Sequence, residues 1–368
     1  NKTFCKTMKD IVIFIPSIEG GGVEKNLFYI TKFLKKKFKK IFLITADKLD
    51  KNLFGNHIKL ITPKTKFYND KSRLIKSLIC SILLFINFKN KNILIFSFQS
   101  NLFSTLVAKI INSKLIIRLN TSPEKYSHSF YKKFLFRLLY GFADEIIVNS
   151  HEFKKNIKRY FNLKSIVILN PIKIKSIKKK INFFKNFHGL KIITIGRLSN
   201  QKDHITLLKA LNLLRNTYKV NFKLYLIGRG YNRGILQDYI SNNNLQKNIK
   251  LAGYIKNASD FIKSADLFIL SSKYEGLPNT LIEAQAAGLP IISSNCPSGP
   301  KEILMNGKLG DLYNSGNHKS LCKKINNYYK NKKTLNKKSM LAKKYLYRFD
   351  YQKNLEKYSI ILKKHVEK

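Results

Sequence analysis

Carboxylates are scarce in this 368-residue chain: 21 Asp and Glu stand against 70 Lys and Arg, a formal net charge of +49. That imbalance draws a protein toward polyanions, either nucleic acid or an anionic membrane surface. Coding bias toward Lys, Asn, Ile and Phe accounts for much of the total, yet a cationic surface attracts anionic lipid whatever its origin. Cysteine is also sparse. Cys5, Cys80, Cys296 and Cys322 show no CxxC or paired Cys/His spacing, which argues against a disulfide framework or structural zinc and suits a reducing cytoplasm. The one apolar run that stands out, Leu74 to Phe88, is interrupted by Lys76 and falls short of the roughly 20 residues that span a bilayer. It reads as a helix packed on a sheet. Asn1 to Asp10 is polar and basic, so no secretory signal is read there and a soluble or peripheral protein is expected. No repeat or low-complexity segment competes with a globular reading.

What is present is a chain with 44% hydrophobic residues, long enough for two α/β domains of roughly 170 residues each. Short β-type runs alternate with longer helical stretches, the pattern of doubly wound parallel sheets with crossover helices. Strands are predicted at Ile11–Ile15, Ile41–Thr45, Ile93–Ser97, Leu115–Leu119, Glu145–Val148 and Ile166–Leu169. After a polar, basic stretch from Asn170 to Gly189 the alternation restarts, with strands at Lys191–Ile195, Lys223–Ile227, Ile249–Leu251, Leu267–Leu270 and Pro290–Ser293. The expected organisation is an N-terminal domain over 1–170, a linker over 171–189 and a C-terminal domain over 190–345. A final helix over 346–368 is placed to pack back on the N-terminal domain. Ligands of such sheets bind at the carboxyl ends of their strands.

Three segments at strand ends carry candidate chemistry. In the first, Gly20-Gly21-Gly22 lies between the first strand and its helix, where backbone N–H groups can approach an anion. It is not a GxGxxG fingerprint, and glycines in such a turn also have a purely steric reading. The second domain opens in the same way, its strand running into Gly196 to His204 with Arg197 and Lys202 beside the helix start. A guanidinium fork and an ammonium together can neutralise a diphosphate, although many lysines of so basic a chain are plain surface. Most informative is Ser271 to Ala284. Glu275 closes a loop, Pro278 lies near a helix start, and Glu283 follows in the helix. If the segment were helical throughout, eight residues would rise about 12 Å, matching two carboxylates to the hydroxyls of a sugar and a ribose. An acidic pair serving the helix dipole is the bland alternative.

These segments resemble glycosyltransferase family 4, a group of retaining GT-B enzymes. The resemblance rests on GGVEKN (Gly21 to Asn26), GRLSNQKDH (Gly196 to His204), IGRG (Ile227 to Gly230), EGLPNTLIEAQAAGLPIISSNCPSGPKEIL (Glu275 to Leu304) and Gly310. It implies two doubly wound parallel-sheet domains facing a central cleft. It also implies that Gly21 and Gly22 line the acceptor side near the donor phosphates, and that Arg197 and Lys202 hold the diphosphate and assist its departure. Glu275 would contact the transferred sugar, with the Gly276 and Leu277 amides near the phosphates and Glu283 on the ribose. Gly196 belongs to the same donor loop, and Gly228 and Tyr254 would sit near phosphates and base. The family needs no metal or other cofactor, and this sequence has no DxD motif and only dispersed histidines. Asn120 stands where many members carry a histidine that contacts the donor sugar. It can hydrogen-bond a hydroxyl but takes no proton near neutral pH, and shaping the turn before Pro123 is its other reading.

The resemblance further implies front-face transfer, in which the departing phosphate oxygen can take the acceptor's proton. The Cys296 to Leu304 segment looks like members that use UDP-activated hexoses or N-acetylhexosamines for surface glycans, although nothing in the sequence separates UDP from GDP firmly. The expected partners are a nucleotide-sugar donor, a glycan or polyprenyl-diphosphate-linked acceptor, and an anionic membrane surface, with no specific nucleic acid. The expected place is the inner face of the cytoplasmic membrane. Two basic runs, Lys35 to Lys40 and Tyr131 to Arg137, are candidates for resting on lipid. Two rival readings stay open: a GT-B-shaped UDP-sugar epimerase and a non-catalytic polyanion-binding protein.

Overall fold

The computed structural model describes residues 10–18, 22–38, 40–47, 58–64, 71–120, 129–173, 183–255 and 258–367. It divides into two compact units, Asn1–Pro171 with Tyr351–Lys368, and Ile172–Asp350. In the first unit the order is β1 (Asp10–Phe14), α1 (Gly22–Leu34), β2 (Ile41–Ile44), β3 (Ile58–Ile61), α2 (Arg73–Phe88), β4 (Ile93–Ser97) and α3 (Asn101–Ile110). It continues with β5 (Lys114–Leu119), α4 (Phe130–Gly141), β6 (Glu145–Val148), α5 (His151–Phe161) and β7 (Ile166–Val167). The strands form one parallel sheet in the order β3-β2-β1-β4-β5-β6-β7.

The second unit repeats the plan with β8 (Leu190–Ile195), α6 (His204–Tyr218), β9 (Phe222–Ile227), α7 (Arg233–Asn242), β10 (Ile249–Gly253), α8 (Ser259–Ile262) and β11 (Leu267–Leu270). Then come α9 (Asn279–Ala287), β12 (Ile291–Ser294), α10 (Pro300–Ile303), β13 (Asp311–Tyr313), α11 (His318–Lys330) and α12 (Lys332–Lys344). Its parallel sheet runs β10-β9-β8-β11-β12-β13. After a 3₁₀ turn, α13 (Tyr351–Val366) rejoins the first unit, burying Leu355, Tyr358 and Leu362 in its core.

Parallel strands buried on both faces must be apolar on both, which is why β1 and β4 read as unbroken Ile, Val, Leu and Phe. Their alternation sorts two cores. Ile11 and Ile13 pack with α1 and α13, whereas Val12 and Phe14 pack with Cys80, Leu84 and Phe88 of α2 and with the inner sides of α3 to α5. The Leu74 to Phe88 run is thus a helix on a sheet. Its Lys76 is buried and reaches Asp47 across the layer at 2.5 Å.

The strand bounds shift by a residue or two from the sequence reading, and β3, α5 and β13 were not foreseen. The two strands are short edge pieces of their sheets, whereas α5 does carry an apolar stripe, Phe153, Ile157 and Phe161 at i, i+4 and i+8, that the sequence reading passed over. The linker also differs from expectation. Residues 174–182 lie outside the described set, but Phe183 belongs to the second unit, where its ring stacks on Tyr225 and Phe261 with centroids 4.6 and 4.0 Å away. One further correction concerns the basic runs. Lys35–Lys37 caps α1 on one face of the first sheet and Tyr131 to Arg137 lies in α4 on the other, so they cannot share one lipid-facing surface. Among the described residues no helix is long and apolar enough to cross a membrane.

Candidate active site

Because the second sheet is parallel, the loops after neighbouring β8, β11 and β12 leave its same edge. There the Gly196–Asp203 loop meets the Ser271–Glu275 loop. Lys202 Nζ lies 2.5 Å from Glu275 Oε1, and Ser272 Oγ donates to that same oxygen at 2.5 Å. The two charged side chains are only 14% and 7% exposed. Removing both charges from water is costly, and the third bond, from Ser272, offsets part of that cost.

Three contacts stitch the two loops without using the ion pair. Lys273 N–H donates to the Gln201 carbonyl (2.8 Å), Ser271 Oγ to the Lys202 carbonyl (2.8 Å) and Gln201 Nε2 to the Tyr274 carbonyl (3.0 Å). Ser294 and Ser315 hydroxyls both donate to the Ser272 carbonyl, and Glu275 N–H donates to Pro297. The carboxylate therefore sits on a fixed platform built from three strand ends.

Glycine lets these loops close. Gly196 N–H bonds the Ile227 carbonyl and Leu198 N–H the Arg229 carbonyl, laying the β8 loop against the β9 loop. A side chain at Gly228, whose φ is +157°, would overlap the Gly196 carbonyl. Gly196 itself lies under the Lys202 stem, whose Cγ and Cδ would stand 3.4 Å from an added Cβ. At Gly299, φ +90°, an added Cβ would overlap the Gly276 carbonyl, so the loop after β12 seats directly on the one after β11.

The other residues that the sequence reading assigned to the donor lie elsewhere in the second unit. Arg197 is exposed on the Lys202 loop; Gly276 is half-buried and Leu277 is buried just before α9. Glu283 is half-buried within α9. The Glu275–Glu283 interval is not helical throughout: Pro278 caps α9 with an extended backbone, so only 279–283 is helix. The 12 Å rise therefore does not apply. Tyr254 is exposed, its ring 5.5 Å from the Arg229 guanidinium.

Beneath the pair lies a buried polar layer that the sequence did not single out. His204 opens α6 and is 4% exposed, with neither ring nitrogen hydrogen-bonded to a described residue. Burial first, and the Lys202 charge second, push it down to about 4, against the pull of the Arg197 and Gly196 carbonyls. It is neutral at pH 7. Cys296 is pushed up to about 12 by burial and then by Glu275, so it is an unreactive thiol. Burial likewise raises the Tyr313 phenol. Among the described residues no three His, Cys, Asp or Glu side chains are grouped to hold a metal ion.

In the first unit Gly21 lies outside the described residues, while Gly22 is exposed as the first residue of α1. Asn120, just past β5, accepts from Arg118 Nη1 and donates to the Phe98 carbonyl at 2.7 Å. Its amide thus serves the fold on both ends, and a sugar hydroxyl would share it with those partners. Arg118 is fully buried, donating also to Tyr358 Oη (2.9 Å) and Asn170 Oδ1 (2.8 Å). The visible signal was an arginine inside the apolar strand Leu115–Leu119.

Residues 175–345 match the family of glycosyl transferases group 1. An uncharacterized glycosyltransferase of Methanocaldococcus jannaschii is 36% identical over 209 residues, 52% of this chain. The chain spans about half the length of that relative, 51%. A Campylobacter jejuni enzyme, N-acetylgalactosamine-N,N'-diacetylbacillosaminyl-diphospho-undecaprenol 4-alpha-N-acetylgalactosaminyltransferase, is 25% identical over 88% of this chain and 94% of its own. Anabaena HepE, solved in complex with UDP and glucose, has the same fold, with a TM-score of 0.77 over 96% of this chain and 99% of that one at 19% identity. Both units are thus parallel-sheet α/β domains of the GT-B class.

Proposed function

We propose, from the match of residues 175–345 to the group 1 glycosyl transferases, that the chain is a retaining, metal-independent glycosyltransferase. It moves a hexose or N-acetylhexosamine from a UDP-sugar to a glycan or polyprenyl-diphosphate-linked acceptor in surface polysaccharide or glycoconjugate assembly. The observation that carries this reading is the Lys202–Glu275–Ser272 cluster at the strand ends of the second unit. The complex of HepE with UDP and glucose favours the nucleotide, and the Campylobacter relative's name favours a lipid-linked acceptor.

In this mechanism the acceptor hydroxyl attacks the anomeric carbon from the side on which the diphosphate leaves. The bond from that carbon to phosphate oxygen breaks, the new glycosidic bond forms, and the departing oxygen takes the hydroxyl proton. Negative charge develops on the leaving group, so the residues that matter most are cations aimed at it. Lys202 is held at the strand ends by Glu275, and a donor phosphate would take over as its partner, with Arg197 from the same loop. Glu275 accepts from sugar hydroxyls through its second oxygen, and Glu283 accepts from the ribose. Gly228 and Gly276 let phosphate approach the backbone, the Leu277 amide donates to it, and Tyr254 stacks near the base.

The test is a thermal-shift panel of UDP, GDP, ADP and their sugar conjugates without added metal, followed by transfer to a polyprenyl-diphosphate-linked glycan. A ligand at 100 times its dissociation constant stabilises the fold by about 2.7 kcal/mol. A shift with the uridine series alone, lost in Glu283→Ala, supports the reading. No shift with any nucleotide would defeat it.

A further inference from the structure

The first unit exposes large apolar side chains almost entirely on one side. Leu78, Ile82 and Ile86 of α2 are 48%, 58% and 63% exposed, and Phe130, Phe134 and Leu138 of α4 are 78%, 61% and 46% exposed. Helix α3 packs between them and adds Leu106 and Ile110, so the three helices form one continuous surface. Across the sheet, α1 and α13 show a single exposed large apolar residue, Ile360. A soluble chain rarely leaves a patch of this extent without a partner.

Charge identifies the partner. From Lys71 through Ala143 the sequence has twelve Lys or Arg and one carboxylate, Glu124. Helices α2, α3 and α4 contain no acid at all, and Lys132, Lys133, Arg137 and Lys109 are exposed among the apolar groups. Lys109 and Lys91 lie 5.0 and 5.2 Å from the Phe142 and Phe88 rings, charged tips on apolar bodies. Aromatic and aliphatic side chains interleaved with cations suit the headgroup boundary of an anionic bilayer, where stems enter the acyl region and charges meet phosphate. The 16-residue α2 is too short to span, so it lies in the interface plane.

We propose that the α2–α3–α4 face of the first unit is a docking surface for an anionic lipid bilayer. It is a surface distinct from the strand-end site and does not depend on the assigned chemistry.

The chain contains no tryptophan, so an introduced one reports without background. In the full chain, Phe134→Trp should blue-shift on adding phosphatidylcholine vesicles that contain phosphatidylglycerol, and brominated lipid should quench it. Ile360→Trp, on the opposite face, should do neither. Matched charge removals test the same point by co-sedimentation. Lys132→Gln/Lys133→Gln/Arg137→Gln should weaken vesicle binding about tenfold or more, whereas Lys32→Gln/Lys36→Gln/Lys37→Gln, on α1 and the turn after it, should leave it nearly unchanged. Equal losses in the two triplets would overturn the assignment in favour of adsorption through overall charge. No spectral shift with anionic vesicles, or an equal one with phosphatidylcholine alone, would also overturn it. A shift that grows with protein concentration without vesicles would give the face to a second copy of the chain.

Discussion

The two units share one architecture and use it differently. In the second, the strand-end loops are tied by side-chain and backbone bonds into a buried polar cluster, and the exposed apolar residues are scattered. In the first, the described polar groups at the strand ends serve the fold, as Arg118 and Asn120 do, and one helical face is apolar and cationic. A doubly wound sheet therefore decides where loops converge, but not what they do there. The character of the strand ends follows from which side chains the loops carry, and that of the outer surface from what the helix faces carry.

That division can be broken most directly at Lys202. Lys202→Ala should lower transfer by about a hundredfold or more, the scale of one lost transition-state donor. The backbone and Ser271 contacts remain, so the variant should still unfold cooperatively and bind anionic vesicles as the parent does. A Lys202→Ala protein that transfers normally would remove the second unit from the chemistry.

Next in size is a pH effect belonging to the second unit. His204 is held near 4 in the folded chain against 6.5 ordinarily. The unfolded chain therefore binds the extra proton first as pH falls, so the stabilisation is complete above 6.5 and is lost between 6.5 and 4. It amounts to about 3 kcal/mol. In urea unfolding at pH 7 and pH 4.5, His204→Gln should flatten that part of the dependence. The transition of the first unit should not move with it.

Smallest is a change confined to the first unit. Tyr358→Phe removes the oxygen that accepts from buried Arg118 Nε and should cost about 1.5–3 kcal/mol. Donor-induced stabilisation should persist, because the strand-end cluster of the second unit is untouched. Loss of nucleotide binding in this variant would show that the two units are not energetically separate.

Much of the fold was legible because its signals are local. Ile11–Ile15 and Leu267–Leu270 announce buried strands within five residues, and the glycines of Gly196 and Gly228 stand where two backbones touch. Motif order also singled out Lys202 and Glu275, which the structure brings into contact. Other features gave weak signals. β13 is three residues long. Ser272 looked like any loop serine.

By itself the sequence determined the alternation of strand and helix, the two-unit plan and the residue types at the strand ends, since periodicity and turn chemistry act over a few residues. Tertiary structure alone decided that Lys202 meets Glu275 across 73 positions and Arg118 meets Tyr358 across 240. It alone placed Lys35–Lys37 and Tyr131 to Arg137 on opposite faces of the first sheet and joined α2, α3 and α4 into one surface. The reason is physical: parallel crossovers and a returning C-terminal helix choose neighbours that no local pattern encodes.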